Sequence, residues 1–279
     1  MPANEVLADG FGFLEGPRWH DGQLWVSDFV TRRISRVSPS GAVTDVAQSS
    51  ARPSGLGFTP DGGVLVALME SRSVARIDDD GELVLYADLS TAALGVCNDM
   101  VVDGTGRAYV GGMGFDVFRG DRPSPGNLVM VDTDRSATVV ATDLHVPNGA
   151  VIDTTGRLIV AETNTRRLTS FAIADDGTLD DRAVYADLGD YGPDGICIDA
   201  ADGIWIGACF NEAFVYVTSD GRVADTIPIP GRWAVACALG GADGRTLFML
   251  TAETTMRSFR HGESKGRIEV AIVDTPGLV

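Results

Sequence analysis

A strand–turn–strand unit recurs six times along the chain, and each copy opens at an equivalent position. Those positions hold Glu15, Ser54, Asn98, Asn148, Asp194 and Trp233, with start-to-start spacings of 39, 44, 50, 46 and 39 residues. The third and fourth copies align best: Asn98-Asp-Met-Val-Val-Asp-Gly-Thr-Gly-Arg against Asn148-Gly-Ala-Val-Ile-Asp-Thr-Thr-Gly-Arg. Asp-Gly and Gly-Arg turns suit tight hairpins, because glycine reaches positive φ without steric cost. Two further strand-like runs follow each pair, for example Ser73–Asp78 and Glu82–Ala87, or Arg167–Ile173 and Arg182–Ala186. Four strands at a period of roughly 40–50 residues is the sequence signature of a β-propeller blade. Helical periodicity is nearly absent, which argues against βαβ units.

The expected fold is therefore all-β: one six-bladed β-propeller domain over residues 1–279, built from four-stranded antiparallel blades. The sixth copy supplies only three strands, Ala234–Ala238, Thr246–Thr251 and Arg267–Val273. The unassigned N-terminal strand Glu5–Ala8 is expected to be the fourth, closing the ring and removing an exposed edge. Strand alternation places strand-one starts, the loops between strands two and three, and the blade links on one face. The insertions Asp88–Cys97, Met113–Gly126 and Leu188–Pro193 all belong to that face, which makes it the expected functional face.

Composition narrows the partners. The chain carries 39 acidic against 22 basic residues, a net charge of −17. That field repels phosphate backbones and anionic lipid, so nucleic acid and membrane are excluded as expected partners. No apolar run approaches the ~18 residues of a transmembrane helix, and the first residues lack a signal-peptide pattern. Cys97, Cys197, Cys209 and Cys237 show no CxxC spacing; they are expected as reduced core thiols, three of them on strands, in a cytoplasmic protein. Cys197 and Cys237 occupy near-equivalent places in adjacent repeats, which also permits a disulfide. The expected oligomeric state is a monomer or weak homo-oligomer.

On the functional face, Glu15, Asn98, Asn148 and Asp194 offer two carboxylates and two amide oxygens. Such hard donors suit Ca²⁺ or Mg²⁺, and accept Mn²⁺ or Zn²⁺ less selectively. Asparagine and aspartate at strand entries are also ordinary turn residues, but glutamate is not. The pocket walls are expected from strand-two ends and their loops: Met69, Glu70, Met113, Phe115, Asp116, Glu162, Asn164, Phe210 and Trp233. Within the longest insertion, Phe115 or Phe118 is placed either as a lid or as packing for its own loop.

Glu15-Gly-Pro-Arg-Trp, Asn98-Asp-Met-Val-Val-Asp, Pro147-Asn148-Gly and Pro193-Asp194-Gly-Ile together resemble the SMP-30/gluconolactonase/luciferin-regenerating-enzyme family, in family order and across essentially the whole chain. The resemblance implies a metal-dependent lactone hydrolase with one divalent ion, Ca²⁺ first. It implies Glu15, Asn148 and Asp194 as metal ligands, Asp194 as general base for metal-activated water, and Asn98 as a substrate contact. Met113, Phe115, Asp116, Glu162 and Trp233 complete the expected contacts of a small-molecule substrate. One departure is Val96, where sugar-lactone members often carry arginine; it leaves a less polar lactone open. Alternative readings keep the site for another ester-like or phosphotriester substrate or a biosynthetic step, or make the propeller a non-catalytic ligand binder. The three histidines offer no counterpart to the histidine pair of paraoxonase-type propellers.

Overall fold

The computed structural model describes residues 4–278, so the outermost residues of the expected domain lie outside the described part. It contains six four-stranded antiparallel sheets. Five are built from consecutive strands. The sixth pairs the N-terminal strand Glu5–Phe11 with the last strand, Lys265–Ile272, and thereby closes the ring. The closing strand runs three residues beyond the expected Glu5–Ala8, through irregular pairing at Val6/Ala8 and Asp9/Phe11.

The aspartate that follows the inner strand in blades three, four and five has a local cause. Asp153 Oδ1 accepts from the amides of Thr155 (2.9 Å) and Arg157 (2.9 Å), and Asp103 and Asp199 do the same in blades three and five. The side chain thus mimics a backbone turn and fixes the hairpin.

The inner strands are Leu14–His20, Pro53–Phe58, Cys97–Val102, Pro147–Ile152, Pro193–Ile198 and Trp233–Gly240. All six break register with their neighbour at or just after the site position: between Glu15 and Arg18, Pro53 and Leu56, Cys97 and Met100, Pro147 and Ala150, Pro193 and Ile196, Ala234 and Ala236. A bulge re-aims a side chain out of the pleat, and in blades two to five it releases Ser54, Asn98, Asn148 and Asp194 from the ladder. The following residue then runs close to the next blade. A Cβ on Gly55 would sit 2.4 Å from Met100 N, on Gly149 2.5 Å from Ile196 N, and on Gly195 2.2 Å from Ala236 Cβ. Glycine after Ser54, Asn148 and Asp194 is therefore a packing requirement of those blades.

Between blades, apolar faces interlock. Leu65, Val74 and Leu89 of blade two meet Met100, Val110 and Val129 of blade three, all fully buried. Each such side chain contributes about 1.5–3 kcal/mol of burial. Ala8, Phe13, Leu24, Val235, Phe248 and Ile268 do the same across the ring closure.

Candidate active site

The axis-facing starts of the inner strands form the floor of one cavity of about 230 Å³, which holds Glu15, Asn98, Asn148 and Asp194. All four are buried. Ser54 lies beside them, its hydroxyl donating to Asn98 Oδ1 at 3.4 Å, while Asn98 Nδ2 donates to Pro147 O at 3.2 Å. Asn148 Nδ2 donates to Asp194 Oδ1 and, more weakly, to Thr163 Oγ1 at 3.4 Å. Asn148 Oδ1 is left buried with no partner.

The electrostatics of the floor are unfavourable as they stand. Burial, followed by repulsion from Asp194 and Asp99, pushes the Glu15 carboxyl well above the usual range. Burial also pushes Asp194 up to about 7, against the opposing pull of the Cys209 thiol and Asn148. Arg18 does not offset this, because it is committed to Asp99 Oδ1 at 3.1 Å and Met100 O at 2.5 Å. Two buried carboxylates beside an unpaired amide oxygen are a donor set that fits a hard divalent cation. Among the described residues, no three His, Cys, Asp or Glu side chains form a metal-holding group by themselves; the set needs the amide oxygen.

Met69, Met113, Phe115, Asn164, Phe210 and Trp233 line the cavity, as their strand positions predict. Three expected wall residues stand elsewhere. Glu162 is fully buried but turned away: its carboxylate accepts from His145 N (2.8 Å), Thr169 Oγ1 (2.5 Å) and Arg167 Nε (2.9 Å). Burial alone would raise its pKa, but those three donors hold it below the usual range. Asp116 caps its own loop through the amides of Phe118 (2.9 Å) and Arg119 (3.2 Å). Glu70 is spent on Arg52, through its guanidinium and backbone N–H. Each is a charged group satisfied locally, which sequence position alone does not reveal.

Other contributors escape the sequence reading. A short helix, Met256–Arg260, lies between the second and third strands of blade six and brings Met256, Phe259 and Arg260 to the mouth. The gap between Thr251 and Arg267 was its only signal. Phe118 packs against Phe29 and Phe259, with centroids 5.6 and 5.5 Å away, beneath the Arg52 guanidinium at 4.0 Å. Of the two candidate lid residues, then, Phe115 lines the cavity and Phe118 packs. Thr163, in the turn Thr163–Thr165, ties the floor to Pro193 O at 2.7 Å. Cys209, expected on a strand, opens the turn Cys209–Asn211 beside Asp194. The other cysteines are free and packed among the blades, Cys197 and Cys237 with sulfurs 3.5 Å apart.

No helix among the described residues is long and apolar enough to cross a membrane. Residues 13–253 match the sequence profile of the SMP-30/Gluconolactonase/LRE-like region. A pentonolactonase of Haloferax volcanii is 27% identical over 260 residues, covering 90% of this chain and 86% of that protein. A 6-deoxy-6-sulfogluconolactonase of Pseudomonas putida is 27% identical over 277 residues, covering 94% and 92%. A calcium-binding regucalcin of Agrobacterium tumefaciens superposes with a TM-score of 0.79 at 23% identity, covering 98% and 96%.

Proposed function

The chain belongs to the SMP-30/gluconolactonase/LRE-like family, and from that premise we propose that it opens a lactone ring by hydrolysis. The similar pentonolactonase and sulfogluconolactonase support the reaction class. The observation that carries the reading is the floor itself, where Glu15, Asn148 and Asp194 gather around an amide oxygen with no protein partner.

Glu15, Asn148 and Asp194 would hold one divalent cation. Ca²⁺ is favoured by the all-oxygen donors and by the calcium-binding regucalcin of the same fold; Zn²⁺, Mn²⁺ and Mg²⁺ are the alternatives. Such a cation supplies polarisation of the lactone carbonyl and stabilisation of the charge that develops on its oxygen.

The chain's own groups do the rest. Asp194 takes a proton from the attacking water, the ring C–O bond breaks, and the same proton passes to the departing ring oxygen. The product is the open hydroxy acid. Asn148 orients Asp194 through its amide. Asn98, fixed at both ends of its own amide by Ser54 and Pro147, is a rigid neighbour for the substrate carbonyl. The apolar walls exclude bulk water and strengthen these interactions.

The experiment is a pH-indicator assay on chelated protein, with each cation restored in turn, across a panel of lactones. Wild type should hydrolyse a lactone only with a cation, and Asp194→Ala should abolish turnover. Cation-independent activity, or wild-type turnover in Asp194→Ala, would remove the mechanism.

A further inference from the structure

Resting on the lactonase reading, we propose that the substrate is a small lactone whose ring carries an apolar substituent, rather than a polyhydroxylated one. The inference comes from what stands above the floor. The cavity of about 230 Å³ is below the common 300–1,000 Å³ range of ligand pockets, so it admits a single ring with a short substituent.

Its walls are aromatic and aliphatic. Phe13 meets Trp233 edge-on at 6.3 Å and Phe259 at 5.0 Å, and Phe210 stands edge-on to Trp233 at 5.0 Å. A further stretch of wall is the apolar group of Met69, Met113 and Val146, with Phe115 packed on it.

A ring bearing several hydroxyls needs a partner for each, and a buried hydroxyl left unpaired weakens binding steeply. Apart from the Glu15, Asn148 and Asp194 oxygens assigned to the cation, the floor's polar groups are engaged among themselves. Asn98 is tied to Ser54 and Pro147, the Thr163 hydroxyl to Pro193 O, and Asn148 Nδ2 to Asp194. Above the floor, among the described residues, the polar groups lining the cavity are Asn164 and Arg260, both exposed at the rim, and the single indole N–H of Trp233. Hydroxyls deeper in the cavity would face carbon. An alkyl or aryl group there is buried against matching surface.

The test compares protein reloaded with Ca²⁺ on γ-lactones bearing hydrogen, ethyl or butyl on the ring carbon, and on gluconolactone. Expected is a rise in kcat/KM of about fourfold per methylene until the cavity fills, with the butyl lactone at least tenfold above gluconolactone. Phe210 is 55% exposed, so Phe210→Ser does not threaten the fold. It should raise KM for the butyl lactone and lower the ratio of kcat/KM for the butyl lactone to that for gluconolactone. A flat dependence on chain length, or gluconolactone turned over as fast as the butyl lactone, overturns the substrate class and leaves the lactonase reading standing. Hydrolysis of none of them overturns both.

Discussion

Asn148 Nδ2 reaches across from blade four to Asp194 Oδ1 of blade five, and in doing so turns Asn148 Oδ1 into a buried acceptor without a donor. A cation held between the two residues would use that oxygen. Asn148→Ala should therefore weaken Ca²⁺ binding at least tenfold by titration calorimetry. Asn148→Asp, which keeps an oxygen there, should retain more affinity than the alanine variant. Equal affinity in wild type and Asn148→Ala would remove Asn148 from the ligand set.

The same floor sets a pH dependence of stability. Asp194 has a raised folded-state pKa of about 7, and Glu15 is raised too. For carboxyls raised by burial, the protonated form is the better tolerated one. Stability from this source is full below the unfolded values near 4 and is lost as pH climbs through about 7. In chelated protein the loss between pH 4 and 8 should be on the order of 2–4 kcal/mol. Asp194→Asn should flatten the profile, and Ca²⁺ should restore stability at pH 8 by binding the ionised pair. Surface carboxylates with lowered pKa values, such as Asp61 at about 2, act only in more acid solution. A melting temperature flat from pH 5 to 8 without metal would contradict the argument.

The ring and its floor were legible because both rest on period. Strand length, turn glycine and the following Gly16, Gly55, Gly149 and Gly195 repeat with the blades, so one alignment places Glu15, Ser54, Asn98, Asn148, Asp194 and Trp233 together. The walls were less legible because they rest on loops and on local pairing. Phe259 and Arg260 sit on a one-off helix capped by Thr255, whose side chain accepts from Ser258 N, and no repeat announces it. Glu162 and Asp116 lie at positions that could face the cavity, and only their donors decide that they do not.

Glu162 gives the sharpest check of that distinction. Its carboxylate is fully buried and held by Thr169, Arg167 and the His145 amide. Glu162→Gln removes a buried charge from three donors and should cost about 3 kcal/mol in denaturant unfolding. Ca²⁺ affinity should stay within about twofold of wild type. A tenfold loss of affinity at unchanged stability would return Glu162 to the site.

Gly195 joins packing to function at one position. A Cβ there would lie 2.2 Å from Ala236 Cβ and 2.7 Å from Ala236 Cα, so Gly195→Ala must push the inner strands of blades five and six apart. Overpacking of this kind costs about 1–3 kcal/mol. It also moves Asp194, the adjacent residue, relative to Asn148 on the other side. Stability and Ca²⁺ affinity should therefore fall together. Ala236→Gly removes the closer of the two contacting atoms, so the double variant should recover part of both losses relative to Gly195→Ala alone. A non-additive cycle is what contact between the two residues requires. If the two substitutions simply add, the close approach of the inner strands does not set the position of Asp194.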